Sequence, residues 1–491
     1  MRELVSDVDR RDPGDVLALD ADGAHTVGEL RAAADDLAAA LTARTGGAPT
    51  LLVQADNSWR TVVAALALGR VGGTLALLSR HATRQEFEAA REDLDPDAVL
   101  ASRPTADAWA VDPSAGDAVL DGWSLTGRPA RGGRRWRDGV VIGLTSGSTG
   151  RAKGVVQTEA ALRYAGRATV DAVGLRAGDT VAALVPLSSA AAICFGLYLP
   201  LMIGGRVLLA DRWDPAAAVD LMAEHEARWT MCVPTMALQM GSAARTEGLL
   251  TPMAAMTVGG GPMDAGALGR AERRLGTRIL RVFGMSECLG HTTSLPDQEV
   301  AVRLGTDGTP FPGTELRAVD AAGAPLPVGV TGRAQVRGPS LFAGYARDGA
   351  VVPPELTADG FFPTGDLVEV AADGTVAIKG REKDIIIRGG RNIDITEVES
   401  AVARHPHVEQ VCVVPVPDEL LGERIALLAV TDGEELDLVE IQRHLADTGL
   451  TKGKWPEFLF RVDSLPQNRV GKLSRPDAAR IARELRDGAT A

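Results

Sequence analysis

The stretch GLTSGSTGRAKGVVQT, from Gly143 to Thr158, gathers hydroxyl side chains, glycines and two cations behind the apolar segment Val140-Val141-Ile142. Glycines let backbone N–H groups turn inward, hydroxyls donate further hydrogen bonds and a lysine adds charge. Together these are the chemistry of an anion cradle. A P-loop would need GxxxxGK[ST], but Lys153 follows Ala152, and Gly471-Lys472 is followed by Leu473. A kinase-type glycine loop would need a catalytic-loop partner, which the sequence lacks. Taken alone, the loop also reads as a solvated Ser/Gly turn between a strand and a helix over VVQTEAALRYAG. Cys194, Cys232, Cys288 and Cys412 are too scattered for a CxxC redox pair or a zinc site. They are expected to be packing residues in a reducing compartment.

Such a loop needs a scaffold. Val27, Leu30, Ala33, Leu37 and Leu41 recur at helical spacing and predict a helix from Thr26 to Ala43. TLLVQA (Thr50 to Ala55) and TLALLS (Thr74 to Ser79) read as buried strands, with the apolar helix WRTVVAALALGRVGG between them. DTVAALVPL, GGRVLLA and WTMCVPT continue the alternation to about residue 235 and predict an α/β sheet covered by helices. From about Gly305, short strands broken by Gly, Pro and Asp predict a β-rich subdomain over about 305–380. After Gly380, ITEVESAVARH, VEQVCVVPVP, ERIALLAVT and LVEIQRHLAD read as helix, strand, strand and helix, a small α+β domain.

A chain of 491 residues exceeds one hydrophobic core, so two or more domains are expected. With 45% hydrophobic and 24% charged residues, its composition is that of a globular enzyme. The net charge of −13 argues against a nucleic-acid partner, since phosphate contact needs a basic surface. The first residues carry no apolar signal core, and AAAICFGLYLPLMIGG, interrupted by Pro200 and glycines, is too short to span a membrane. A cytoplasmic location without membrane contact is the expectation.

TSGSTGRAKG (Thr145 to Gly154) resembles the phosphate loop TSG[ST]TGxPKG of the AMP-forming acyl- and aryl-CoA synthetase and adenylation-domain superfamily, with Ala152 in place of proline. Further stretches resemble that family's motifs in its order. GGGPM (Gly259 to Met263) resembles its adenine-contacting turn and FGMSE (Phe283 to Glu287) its YGxTE motif. PTGD (Pro363 to Asp366) resembles its TGD motif. GREKDIIIRGGRNIDITEVE (Gly380 to Glu399) resembles its hinge and first C-terminal loop, and LPQNRVGK (Leu465 to Lys472) its terminal lysine motif. The resemblance covers essentially the whole chain. It implies an N-terminal adenylating domain over 1–381, a mobile α+β C-terminal domain over 382–491 and a hinge at Lys383.

The implied reaction has two halves: a carboxylate attacks the α-phosphate of ATP to give acyl-AMP and pyrophosphate, and a thiol then displaces AMP. The resemblance makes Lys472 the essential cation, Glu287 the Mg²⁺ ligand and Ser286 a contact to the α-phosphate. Thr145, Ser146, Gly147, Ser148, Thr149, Gly150 and Lys153 hold the outer phosphates. Phe283 stacks near adenine with Gly260 and Gly261 on the other side, Pro262, Gly284 and Met285 belong to the same ATP site, and Asp366 and Arg381 take the ribose. ATP, Mg²⁺ and either coenzyme A or a phosphopantetheine on a separate acyl carrier protein are the implied cofactors and partner.

VPLSSAAAIC (Val185 to Cys194) matches the family's acid-pocket segment, with Ser188 and Ser189 where many members carry an aromatic residue and histidine. No aspartate stands nearby to pair a substrate ammonium, and a buried unpaired ammonium is costly. An aromatic or hydrophobic acid therefore fits better than a free α-amino acid. The alanines either leave room on that wall or mark close helix packing. Ser188, Ser189, Ala190, Met231, Val233, Leu289 and His291 are the candidate pocket residues. Two alternatives stay open: activation of an unusual acid such as nitrite for diazo or N–N bond formation, and a catalytically silent nucleotide- or acyl-binding module. A role in secondary metabolism is the implied setting.

Overall fold

In a computed structural model, residues 1–112, 116–131, 135–145, 152–261, 263–433, 435–468 and 471–489 are described. Among them the strands form two nine-stranded sheets, a four-stranded sheet and a five-stranded sheet. The fold class is mixed α/β, as the alternation of elements implies.

The first nine-stranded sheet has a parallel centre, in which Val207–Leu209, Val181–Ala183, Trp229–Cys232, Ala255–Gly259 and Ile279–Met285 run side by side. Cys288–Thr293 returns antiparallel along Ile279–Met285, with a register shift between Phe283 and Met285. The second nine-stranded sheet contains Thr50–Ala55, Thr74–Ser79, Gly139–Thr145 and Lys153–Thr158. Helices Val27–Thr45 and Trp59–Val71 pack together in a core shared with the first sheet. The first helix starts at Thr26, which exchanges hydrogen bonds with Glu29 in a capping box. The second stops at Gly72, whose φ of 70° is left-handed.

One local expectation is overturned. VVQT does not begin a helix: Lys153–Thr158 is a strand antiparallel to Gly139–Thr145, with Thr145 opposite Lys153. The helix begins at Glu159, where the Thr158 hydroxyl accepts the Ala161 N–H. Val155 and Val156 are fully buried between neighbouring strands, and β-branched side chains suit that environment better than a helix turn. The hydroxyl-rich loop thus joins two paired strands rather than opening onto a helix N-terminus.

The four-stranded sheet runs Glu315–Val319, Gly332–Arg337, Phe362–Val370 and Val376–Arg381. The hairpin Gly344–Arg347/Ala350–Val352 leaves this region and adds to the second nine-stranded sheet beside Lys153–Thr158. The five-stranded sheet opens with Ile385–Arg388 and Arg391–Asp394, joined by Gly389 and Gly390, both at positive φ as a two-residue hairpin turn demands. Its long strands Val408–Asp418 and Gly422–Thr431 carry separate apolar clusters on their two faces. Helices Ile395–Val402 and Leu438–Asp447 border one cluster, and Arg475–Ala489 the other.

Candidate active site

Lys472 sits on a tight turn. The Gly471 N–H donates to the Asn468 carbonyl (2.9 Å), the Lys472 N–H to Asn468 Oδ1 (3.0 Å) and the Asn468 N–H to the Lys472 carbonyl (2.7 Å). The Thr235 hydroxyl donates to the Gly471 carbonyl at 3.1 Å, docking this turn at the end of the first sheet. There a Cβ built on Gly260 would stand 2.8 Å from both Cε and Nζ of Lys472. Gly260 has φ +84°, a left-handed conformation that glycine adopts freely. Lys472 is exposed. Protein nevertheless crowds it enough that desolvation lowers its pKa, Arg381 lowers it further and Glu287 raises it. The Lys472 side chain is thus brought against Gly260 at the end of the first sheet.

Strand register positions the next pair. Asp366 on Phe362–Val370 lies opposite Arg381 on Val376–Arg381. Arg381 Nε donates to Asp366 Oδ1 at 3.1 Å, while the Asp366 N–H donates to the Thr364 hydroxyl at 3.1 Å. Asp366 is buried, and burial pushes its carboxyl upward against the opposing pull of Arg381. A carboxylate here offers two acceptor oxygens, suited to a pair of hydroxyl donors.

Glu287 follows the irregular end of Ile279–Met285. Its carbonyl accepts the Phe342 N–H (2.8 Å) and its Oε1 accepts the Tyr345 hydroxyl (2.9 Å). Burial, and then the Glu287 charge, push the Tyr345 phenol upward, so it remains a donor. The Lys153 ammonium lies 5.2 Å from the Tyr345 ring centroid. Buried Gln157 donates from Nε2 to the Ser286 carbonyl at 2.7 Å and pins the same turn. Gly284 lies on the strand leading into this turn, where an added Cβ would meet the Gly290 backbone nitrogen at 2.9 Å. Met285 packs at the edge of the Val155–Cys288–Phe342 cluster. Among the described residues no group of three or more His, Cys, Asp or Glu forms a metal cage. One hard carboxylate whose Oε1 is held by Tyr345 suits Mg²⁺, which takes few protein ligands and completes its shell with other oxygen donors.

Thr145 donates to the Lys153 carbonyl at 3.3 Å, closing the base of the hydroxyl-rich loop. Ser146, Gly147, Ser148, Thr149 and Gly150 lie outside the described residues, as does Pro262. Gly261 stands open near Pro234. Phe283 is partly exposed and makes an edge contact with His291, with centroids 4.7 Å apart. Lys383 is exposed.

The segment Val185 to Cys194 is held by a residue that local sequence reading does not single out. Buried Asn57 donates to the carbonyls of Ala183, Val185 and Ala210 and accepts the Leu187 N–H. Ser189 caps the short helix Ala190–Ala192, accepting the Ala192 N–H at 3.1 Å. A Cβ on Gly143 would fall 2.6 Å from the Ala190 nitrogen. At Ala190, then, the small side chain serves close packing rather than open space. Ser188, Ala190, Val233, Leu289 and His291 are buried, whereas Met231 is partly exposed. Met231 borders a cavity of about 10 Å³ with Phe195, Trp229, Val282, Gly290 and Phe311. Neither ring nitrogen of His291 has a hydrogen-bond partner among the described residues, and burial holds its pKa down at about 3.

All four cysteines are free and buried, and burial pushes the Cys232 thiol up to about 12 and the Cys288 thiol to about 11. These thiols are packing groups, not nucleophiles. No helix among the described residues is long and apolar enough to cross a membrane.

A family model for the AMP-binding enzyme matches residues 6–346, more than half of the chain, and one for the AMP-binding enzyme C-terminal domain matches 397–472. Enterobactin synthase component E of Escherichia coli is 30% identical over 487 residues, covering 91% of this chain and 88% of that protein. Pyochelin synthase PchD of Pseudomonas aeruginosa is 33% identical over 355 residues, covering 72% of this chain, which spans 65% of that relative's length. Among solved structures, ATP-bound MatB from Rhodopseudomonas palustris superimposes with a TM-score of 0.85 at 28% identity, covering 99% of each chain. Its apo form gives 0.75. By sequence and by fold, this chain belongs to the AMP-binding enzymes, the adenylate-forming family.

Proposed function

We infer that the protein is an ATP-dependent, AMP-forming ligase that adenylates an aromatic or hydrophobic carboxylic acid and passes the acyl group to a thiol of coenzyme A or of a carrier-bound phosphopantetheine. The observation that carries this reading is the approach of Lys472, near the far end of the chain, to Gly260 at the end of the first sheet, together with Asp366 bonded to Arg381. In the first half-reaction two anions approach each other. Lys472 supplies positive charge between the attacking carboxylate and the α-phosphate and stabilises the charge that develops as the bond forms. Ser286 faces the α-phosphate, while Thr145, Lys153 and the loop residues Ser146 to Gly150 grip the pyrophosphate side. Gly260, Gly261, Pro262, Phe283, Gly284 and Met285 frame the adenine, and Asp366 with Arg381 orients the ribose. Glu287 would hold Mg²⁺, which supplies charge neutralisation on the phosphates when bound. Arg381 and Lys383 border the swing of the C-terminal domain, residues 382–491, away from the N-terminal domain between the half-reactions.

The relatives support the substrate class: one similar protein is 2,3-dihydroxybenzoate-AMP ligase of Bacillus subtilis. One observation favours a second reading: Ser188 and Ser189 stand where many members of the family carry an aromatic residue and histidine, a departure that fits an unusual acid such as nitrite. ATP–pyrophosphate exchange against a panel of acids, with nitrite plus aromatic amines included, separates the readings, and later addition of coenzyme A reports the acceptor. Exchange with no acid in the panel would favour a silent binding module. The Lys472→Ala variant should lose exchange yet still consume acyl-AMP supplied ready-made. Unchanged exchange in it would remove Lys472 from the reaction.

A further inference from the structure

Tyr345 touches two parts of the cleft that come from distant stretches of chain. It lies on Gly344–Arg347, which runs antiparallel to Lys153–Thr158 with Tyr345 opposite Val155. Its hydroxyl donates to Glu287 Oε1 at 2.9 Å, and the Lys153 ammonium sits 5.2 Å from its ring centroid. The ring cannot wander. Phe342 packs edge-on against it at 4.8 Å, and Phe362 packs against Phe342 at 5.4 Å. The Phe342 N–H in turn holds the Glu287 carbonyl at 2.8 Å. The carboxylate is therefore fixed at both its backbone and its Oε1, and among the described residues Oε2 has no hydrogen bond.

The geometry points to Tyr345 as a positioning residue that locks the Glu287 carboxylate for the divalent cation and seats Lys153 on its ring, so that the metal ligand and the loop cation share one support. This rests on the assignment of Glu287 as the Mg²⁺ ligand. The physical reason is that a single carboxylate holding Mg²⁺ beside phosphates must present one oxygen in one orientation. A hydrogen bond to its other oxygen removes the competing rotamers, and losing such an outer partner typically costs 10–100-fold in metal affinity. The alternative is that Tyr345 merely fills space in the Phe342–Phe362 cluster. The two differ in what the hydroxyl does.

Tyr345→Phe keeps the ring, its packing and the seat for Lys153, and removes only the donor. The test uses the full-length protein and isothermal titration with ATP, once in EDTA and once at saturating Mg²⁺. In Tyr345→Phe, the gain in ATP affinity on adding Mg²⁺ should shrink about tenfold, while affinity in EDTA stays within about twofold. Retained EDTA affinity also shows that the variant is folded. An unchanged Mg²⁺ gain in Tyr345→Phe, with that gain lost in Glu287→Gln, would overturn the role of Tyr345 and leave Glu287 standing. An unchanged gain in Glu287→Gln as well would overturn both assignments. Tyr345→Leu, which also removes the seat for Lys153, should weaken ATP a few-fold further in EDTA. Equal EDTA affinities in Tyr345→Leu and Tyr345→Phe would overturn the Lys153 half of the proposal.

Discussion

His291 is the residue whose environment has the clearest consequence for pH. It is fully buried, and burial holds its pKa at about 3 against an ordinary 6.5. The unfolded chain therefore binds a proton below pH 6.5 that the folded chain refuses. The stability contribution is complete above about pH 6.5 and is lost as pH falls toward about 3. Between pH 7.5 and 5.5 the loss from this residue should be about 1.4 kcal/mol. Urea unfolding of wild type and His291→Leu at both pH values isolates it, because the other histidines cancel. Equal acid sensitivity in the two proteins would count against the assignment. The same ring is the one member of the proposed acid wall whose nitrogens lack partners, whereas Ser189 is occupied as a helix cap.

Among elements, the terminal helix Arg475–Ala489 governs how the lysine turn is anchored. Arg475 at its start makes two bonds to Glu399 (2.6 and 2.8 Å) and approaches Asp384, the residue after Lys383, at 3.4 Å. Glu399 is buried and also accepts the Val413 N–H at 2.8 Å. Removing Arg475 leaves that carboxylate unpaired in the interior, which typically costs 3–5 kcal/mol. Arg475→Met should therefore destabilise the five-stranded sheet by about 3 kcal/mol. Hydrogen exchange in Val408–Asp418 and Gly422–Thr431 measures it, and a change below about 1 kcal/mol would show that the pair is not structural. One guanidinium thus links the chain next to Lys383 to the chain next to Lys472.

At the scale of the whole molecule, the site closes where Lys472 meets Gly260, with Gly471 held by Thr235. A side chain at residue 260 would occupy the place of the ammonium and would also hold a left-handed backbone at a cost of about 1–2 kcal/mol. The Lys472 side chain is flexible and would yield, so the damage should appear in rate rather than in assembly. Gly260→Ala should slow ATP–pyrophosphate exchange by about 100-fold, the effect of misplacing a group by an ångström. Its melting temperature should drop by only a few degrees. A rate within threefold of wild type would mean that the ammonium reaches its partner by another path.

The alternating scaffold and the motif residues were legible from local rules alone. Helix periods, caps and turn glycines act over a few residues, so Thr50–Ala55 and Thr74–Ser79 stand where apolar runs and turn signals put them. VVQT misled because an apolar run beside a helical segment does not reveal its own partner, and strand pairing with Gly139–Thr145 decided it. Only the tertiary structure could supply Asn57, Gln157, Tyr345 and Arg475. Their partners lie far along the chain: Glu287 is 58 residues from Tyr345, and Glu399 is 76 from Arg475. No local propensity encodes such distances. Sheet register and domain docking do, because they fix which side chains face one another once the backbone is paired.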